Sequence, residues 1–328
     1  MAQATNELTP MRRQYQQIKD QHKDCILMFR LGDFYEMFFD DAVTVSRELE
    51  LTLTGKSCGT EERAPMCGVP FHSAETYIAR LVKKGYTVVV CEQMEDPATA
   101  KGLVKRDVVR IITPGTVTES VMLTEGKNNY LCALYISGTC AGICFADIST
   151  AKVYVTQIND GDVNNRIINE LATYLPSEII TNADRTGVKE IFEYARDRIG
   201  SVYNDASKNL FSGDAYGELC THFGKDQLDK ALLYENSPGT RALCAIMRYI
   251  AQTQKVDLAY IDKINSYDSG VYLGIDVNTR RSLELCETMR TREKRGSLLW
   301  VLDKTKTAMG ARLLRKRVKQ PLVGVHEI

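Results

Sequence analysis

The stretch Leu31-Gly-Asp-Phe-Tyr-Glu-Met-Phe38 decides the predicted fold at the start of the chain. Before it the apolar pattern is that of a strand, and after it the apolar residues recur at helical spacing. The apolar run Cys25–Phe29 before it is typical of a short buried strand. Beyond it, apolar residues recur at helical spacing as far as Leu49. Gly32 is expected to end the strand. The pattern predicts a strand followed directly by a helix.

Helices and strands continue to alternate over the next 70 or so residues. Ala74–Lys84 predicts a helix, and Tyr86–Cys91 and Val108–Thr113 predict strands rich in β-branched residues. Between the first two helices, Gly55–Arg63 is interpreted as a polar loop. We therefore predict a mixed α/β domain over residues 1–117.

The following part of the chain has a different pattern. Leu131–Ile136, Ala141–Ala146 and Val153–Ile158 are short strands separated by turn residues, and the helix Val163–Tyr174 follows them. This order predicts an RNase-H-like α/β domain over residues 126–236.

The remainder, residues 237–328, is interpreted as the start of an all-helical domain that is truncated at the end of the sequence. Helices are predicted at Arg241–Lys255, Ser282–Met289 and Leu298–Val318. Arg280–Lys319 is strongly basic, and a solvated helix face is the expected explanation for that charge.

Composition excludes several classes of protein. Lys plus Arg and Asp plus Glu both number 42, so any nucleic-acid binding must come from local patches rather than bulk charge. The ten Cys form no CxxC pair and are interpreted as small hydrophobes in a reducing cytosol. The sequence opens without an apolar signal region and has no run long enough to span a membrane, so a cytoplasmic protein without membrane association is expected.

Phe34 and Glu36 are the candidate functional residues, and two interpretations compete. Asp33 and Glu36 match an acidic version of a capping box at the start of the predicted helix. That interpretation leaves Phe34, the first predicted helical residue, without a role. A rigid aromatic side chain at an exposed corner is well suited to wedge between base steps of DNA.

The pair Phe34-x-Glu36 resembles the Phe-x-Glu motif of the MutS family. The resemblance continues through an ordered series of further motifs. These are Leu8-Thr-Pro10, Pro65-Met-Cys-Gly-Val-Pro-Phe-His72, Cys91-Glu-Gln93, Asp96-Pro-Ala98, Arg110-Ile-Ile-Thr-Pro-Gly-Thr116, Asp147-Ile-Ser149, Leu273-Gly-Ile-Asp276, Leu283-Glu-Leu285, Gly296-Ser-Leu-Leu-Trp-Val-Leu-Asp303 and Met309-Gly310. It covers nearly the whole chain and is weakest over residues 188–230.

The resemblance implies a mismatch-recognition domain, a connector domain and the start of a core and lever domain. It also implies that Phe34 stacks on a mispaired base from the minor groove of double-stranded DNA while Glu36 hydrogen-bonds that base. Lys56 and His72 are candidate contacts to the DNA backbone. Full-length members of the family are homodimeric ATPases. ATP, Mg²⁺ and the dimer contacts are therefore expected in missing domains, with no cofactor in this chain, and a MutL-type partner is expected on the connector domain.

Other functions compete with the one that this resemblance implies. Gly55-Lys-Ser57 is not a phosphate-binding loop, because the glycine that such a loop needs would fall at Glu50. The RNase-H-like order raises the alternative of a metal-dependent nuclease, which needs clustered carboxylates. The strand Leu131–Ile136 carries none, and Asp147 stands beside a turn, so a structural role is expected for it. A fragment without a function of its own is the third interpretation.

Overall fold

The computed structural model describes residues 9–56, 63–95, 102–159, 161–184, 186–204, 209–324 and 326. The chain divides into two compact units, residues 1–116 with 252–256, and residues 117–251 with 257–328. The described residues form two six-stranded sheets with helices packed on them. The mixed α/β fold class predicted from the sequence is confirmed.

The first unit contains a sheet of order β3-β4-β2-β1-β5-β6. Strands β1 and β5 are parallel, and the other neighbours are antiparallel. Its elements are α1 (Pro10–Gln21), β1 (Ile26–Leu31), β2 (Phe34–Phe38), α2 (Phe39–Leu49), β3 (Thr54–Lys56), β4 (Ala64–Pro70), α3 (Ala74–Lys83), β5 (Val88–Gln93) and β6 (Arg106–Ile112).

Helix α1 covers part of one face of this sheet. Its Tyr15 ring makes edge contacts with Phe29 of β1 and Phe38 of β2, at centroid distances of 5.5 and 5.1 Å. Thr9 caps the helix by accepting from the Arg12 N–H, and Pro10 begins it. These contacts fix the C-terminal end of β2 in the core.

The second unit contains a sheet of order β11-β10-β7-β8-β9-β12. Strands β7, β8 and β9 form an antiparallel meander, and β10 pairs in parallel with β7. The elements are β7 (Leu131–Ser137), β8 (Cys140–Asp147), β9 (Lys152–Ile158), α4 (Val163–Tyr174), β10 (Glu178–Thr181), α5 (Lys189–Tyr194), β11 (Val202–Asn204), α6 (Ala215–Phe223), α7 (Lys225–Lys230), α8 (Pro238–Gln254), β12 (Ile264–Ser266), α9 (Val277–Ser282), α10 (Leu298–Leu302) and α11 (Ala308–Lys319). The meander followed by a parallel strand agrees with the predicted RNase-H-like order.

The segment assigned to a helical domain contains elements that belong to this second sheet. Buried residues of α8, from Ala242 to Ile250, lie in the same apolar cluster as Leu131 and Val155 of the sheet. Strand β12 pairs in parallel with β9, which the sequence did not indicate. The division that we placed at residue 237 thus falls before a helix that packs on the sheet.

Two predicted helices differ from the structure. The segment Ser282–Met289 is not a helix: the helix ends at Ser282, and Glu284 has a positive φ of 48°. The segment Leu298–Val318 is two helices, because Thr307 starts a new one by accepting from the Gly310 N–H. Both predictions rested on apolar residues at helical spacing, and in the folded chain tertiary contacts override that local pattern.

Candidate functional site

Phe34 is the first residue of β2, and its side chain is 46% exposed. It faces Leu31 of β1 and Pro70 of β4 across the sheet. Since side chains alternate along a strand, Phe34, Glu36 and Phe38 share one face, while Tyr35 and Met37, both buried, point to the other. The predicted exposure of Phe34 is confirmed.

The predicted capping box around Asp33 and Glu36 is wrong. Residues 34–38 form a strand paired on both sides, and helix α2 begins only at Phe39, with Phe38 at the cap position and no side-chain cap. The Asp33-x-x-Glu36 spacing fits a cap locally. Residues 34–38 form a strand instead, because they pair with β4, which lies some thirty residues further along the chain.

Glu36 forms an ion pair with Lys56. The Nζ atom of Lys56 lies 2.6 Å from Oε2 of Glu36, and their side chains are 36% and 14% exposed. Lys56 ends β3, which pairs with β4, and β4 lies between β3 and β2. The predicted polar loop Gly55–Arg63 is therefore wrong for Gly55 and Lys56, which belong to β3, while residues 57–62 lie outside the described residues.

Gly68 makes room beside this pair. It faces Glu36 on the neighbouring strand β4. A Cβ atom at Gly68 would lie 3.6 Å from Cγ of Glu36 and 3.8 Å from Cδ1 of Phe34. A methyl group would just fit, and any longer side chain would compete with both for the same space. The Phe34 ring and the methylene groups of Glu36 thus lie beside the backbone of Gly68, which has no side chain.

The opposite face of the strand is braced by a polar cluster that sequence analysis missed. The Tyr35 hydroxyl donates to Oε1 of Glu92, and Nη1 of Arg30 lies 3.5 Å from the same oxygen. Burial, together with the Glu92 carboxylate, raises the pKa of Tyr35. The Arg30 guanidinium also lies 3.7 Å from the centroid of the Phe71 ring, a cation–π contact.

Phe71 is a second exposed aromatic near Phe34, with 43% of its side chain accessible. Its backbone N–H donates to the Asp33 carbonyl at 2.9 Å, and it follows Pro70, the residue paired with Phe34. Unlike Phe34, its ring has one face covered by Arg30. The sequence contained a signal for Phe71, since it lies within the motif Pro65–His72, but no role was assigned to it.

His72 is exposed in the 3-10 turn Phe71–Ser73, and its ring packs edge-on to Phe71 at 5.8 Å. Ser73, the residue after His72, is at the cap position of helix α3. The structure places Phe34 and Glu36 on β2 and Lys56 on β3, with β4 between the two strands and His72 on the turn after β4.

Asp147, the residue on which a nuclease site would depend, is 1% exposed at the end of β8. Its carboxylate accepts hydrogen bonds from Nδ2 of Asn128 and, at 2.6 Å, from the Ser149 hydroxyl. Within the described ranges, no group of three or more His, Cys, Asp or Glu side chains is placed to hold a metal ion. The structural role predicted for Asp147 agrees with these contacts.

The basic run Arg280–Lys319 was predicted to be a solvated helix face, and that prediction is wrong for two of its lysines. Lys319 is 9% exposed, and its Nζ donates to the Thr173 carbonyl at 2.8 Å. Burial lowers the pKa of Lys319 to about 8. The Lys316 ammonium lies 4.2 Å from the centroid of the Tyr154 ring. These two cations contribute to packing rather than to an open surface.

Two structural features together characterise the class of protein. The first unit is an α/β domain with an exposed Phe-x-Glu strand, and the domain that follows it in the chain is α/β with an RNase-H-like strand order. Models of three MutS domains match the chain: MutS domain I over residues 9–121, MutS domain II over residues 129–262 and MutS domain III over residues 278–328. The domain II match includes helix α8.

Individual relatives give the same result. The DNA mismatch repair protein MutS of Ruminiclostridium cellulolyticum is 52% identical over 322 residues, which cover 98% of this chain and 36% of that protein. The proteins of the same name from Acetivibrio thermocellus and Clostridioides difficile are 51% and 48% identical, again over 98% of this chain. The chain belongs to the MutS family. It spans about a third of the length of these relatives.

In the part of the chain that the structure describes, no helix is both long and apolar enough to cross a membrane. The nine cysteines there are free thiols, five of them buried: Cys67, Cys91, Cys132, Cys144 and Cys244. Burial raises the pKa of the Cys67 and Cys244 thiols to about 11.

Proposed function

We propose that this chain recognises mismatched double-stranded DNA in mismatch repair, with Phe34 stacking on a mispaired base from the minor groove and Glu36 hydrogen-bonding that base. The observation that carries the proposal is the 46% exposure of Phe34 at one end of a strand whose other end is core. The names of the relatives, each a DNA mismatch repair protein, support it.

An exposed phenyl ring on a paired strand is suited to this role. The strand fixes the ring's position, so little side-chain entropy is lost when the ring enters the DNA. A mispaired step is stacked and paired less well than a normal one, and it kinks at lower cost. Base–aromatic stacking contributes roughly 1–3 kcal/mol per base. The ring therefore senses how easily the step deforms, which suits a sensor that accepts many mispairs.

Glu36 supplies discrimination against normal DNA. A carboxylate in the minor groove is repelled by nearby phosphates, and a paired base offers it no free donor. An unstacked base at a mispair can donate a hydrogen bond to it. Selectivity then comes from disfavouring paired DNA as much as from favouring the mispair.

The remaining assignments rest on family resemblance. We propose Lys56 and His72 as contacts to the DNA backbone. We further propose a mismatch-recognition domain over residues 1–117, a connector that begins near residue 126 and extends past residue 236 to include α8 and β12, and a helical core and lever segment in the remainder. A MutL-type partner is assigned to the connector. ATP and Mg²⁺ binding, and homodimer contacts, are assigned to other regions of the full-length protein, with no cofactor in this chain and a cytoplasmic location.

The chain's own Gly55-Lys56 pair does not suit phosphate binding of the ATPase kind. Both residues lie on an antiparallel strand, and the ammonium is paired with Glu36. A phosphate-cradling loop instead needs a strand–loop–helix arrangement. A nuclease function is not favoured either, because each oxygen of the Asp147 carboxylate accepts a hydrogen bond, from Asn128 or Ser149, and no metal-ligand group is found among the described residues.

The test is a binding comparison in the full-length protein. Two duplexes of the same sequence, one with a single mispair, are titrated by fluorescence anisotropy at fixed salt, because affinity for DNA depends on salt. We expect tighter binding to the mispaired duplex. Equal affinity for both duplexes would contradict the proposal.

A further inference from the structure

We propose that Lys56 sets how strongly Glu36 discriminates between mismatched and paired duplex, because it holds and neutralises the Glu36 carboxylate in the DNA-free protein. This inference rests on the proposed function and adds a specificity-determining residue to it. Removing the Lys56 charge is expected to increase the preference for mismatched DNA.

The geometry ties the two side chains closely. The Nζ–Oε2 distance of 2.6 Å is that of a charge-assisted hydrogen bond. Lys56 reaches this carboxylate from the edge strand β3, across β4. Its ammonium lies 5.9 Å from the centroid of the Phe38 ring, which is buried, whereas Phe34 at the other end of the strand is exposed. The Glu36 side chain, at 14% exposed, is screened from water better than the lysine at 36%.

The ion pair weakens discrimination in two ways. Against paired duplex, the ammonium offsets the repulsion between the Glu36 carboxylate and the DNA phosphates. Against a mispair, the ammonium competes with the base for the same carboxylate oxygen. The first effect raises affinity for paired DNA, and the second lowers the gain from a mispair. Both reduce the ratio of the two affinities.

If contact with phosphate were the sole role of Lys56, the expected result would be different. Losing such a contact weakens binding uniformly across sequences and reduces the salt dependence. The ratio of affinities would then stay constant, whatever residue stands at position 36. The two accounts therefore separate in a double-mutant comparison.

The experiment measures affinities of full-length Lys56→Met, Glu36→Gln and the double variant for paired and mispaired duplex. Because exposed ion pairs contribute modestly, we expect Lys56→Met to raise the mispair-to-paired ratio by roughly three- to five-fold. It should do so mainly through weaker binding to paired DNA. In the Glu36→Gln background, Lys56→Met should leave the ratio unchanged. Lys56→Arg, which keeps a cation, should keep the wild-type ratio.

Lys84→Met is the matched control. Lys84 also pairs with a carboxylate, Glu48, at 2.8 Å in the same unit, and its loss removes the same net charge. It should leave the ratio unchanged. Melting temperatures of all variants check that folding is intact.

A ratio that is constant or falls in Lys56→Met, with intact folding, overturns the inference. So does a rise of the same size in the Glu36→Gln background, because the effect would not act through Glu36. Failure of the proposed function looks different: the wild-type protein itself would then show no mispair preference.

Discussion

The two ends of strand β2 carry the same residue type in opposite surroundings. Phe38 is 2% exposed and packs on Tyr15, whereas Phe34, four residues earlier on the same face, is 46% exposed. Burial of a phenylalanine is the ordinary outcome of folding. Its exposure at one end of a strand that is core at the other makes Phe34 available for contact with another molecule.

Their neighbouring carboxylates differ in the same way. Asp41, near the Phe38 end, accepts from the Leu27 N–H at 3.0 Å, the Tyr15 hydroxyl at 3.4 Å and Nζ of Lys19 at 2.8 Å. The hydrogen bond described for Glu36 comes from Lys56. A carboxylate bound by backbone, hydroxyl and ammonium stabilises the fold, whereas one held by a single surface lysine can be released to a ligand.

The largest expected effect is on folding. Phe38→Ala should lower the free energy of unfolding by roughly 3–5 kcal/mol, because it leaves a cavity between α1 and the sheet. Urea denaturation measures this loss. A fall in the free energy of unfolding of less than about 1 kcal/mol would mean that Phe38 is packed no better than Phe34 at the other end of β2.

Asp41→Ala should cost somewhat less, about 3 kcal/mol, because it leaves the buried Leu27 N–H without its acceptor and removes the carboxylate from beside the Lys19 ammonium. The same denaturation experiment applies. If Asp41→Ala and Glu36→Gln destabilise the protein equally, the distinction between the two carboxylates is wrong.

Glu36→Gln should lower stability by less than about 1 kcal/mol, since its ion pair is partly exposed. Its effect should appear in DNA binding instead, with higher affinity for paired duplex and a smaller mispair preference. Because Lys56 already offsets part of the charge, we expect the rise in paired-duplex affinity to be moderate. Unchanged or lower affinity together with a lower melting temperature would leave Glu36 with a structural role alone.

How far the sequence predicts the site depends on whether the structure of each segment is determined by its local residue pattern or by pairing with a distant strand. The apolar runs that became β1, β5 and β7–β9 were identified, because an uninterrupted or alternating apolar pattern is itself the cause of burial. The pair Phe34 and Glu36 came from family resemblance, not from periodicity. Their secondary structure was wrong, since the Asp33-x-x-Glu36 pattern fits a helix cap locally.

The Lys56–Glu36 ion pair lay beyond sequence reasoning altogether. The two residues are 20 positions apart and meet only because β4 inserts between β3 and β2. Phe71 and its Arg30 contact have the same origin, since their proximity follows from strand order. The sequence identifies candidate side chains, and the sheet topology determines which of them meet.

Phe34→Ala in the full-length protein tests the central claim most directly. It should change the melting temperature by no more than about 2 °C, since no cavity forms, while the preference for mispaired over paired duplex disappears. Phe71→Ala, which removes an equally exposed ring whose face Arg30 covers, is the control and should retain the preference. A large fall in melting temperature, or a mispair preference that survives Phe34→Ala, would contradict the wedge role of Phe34.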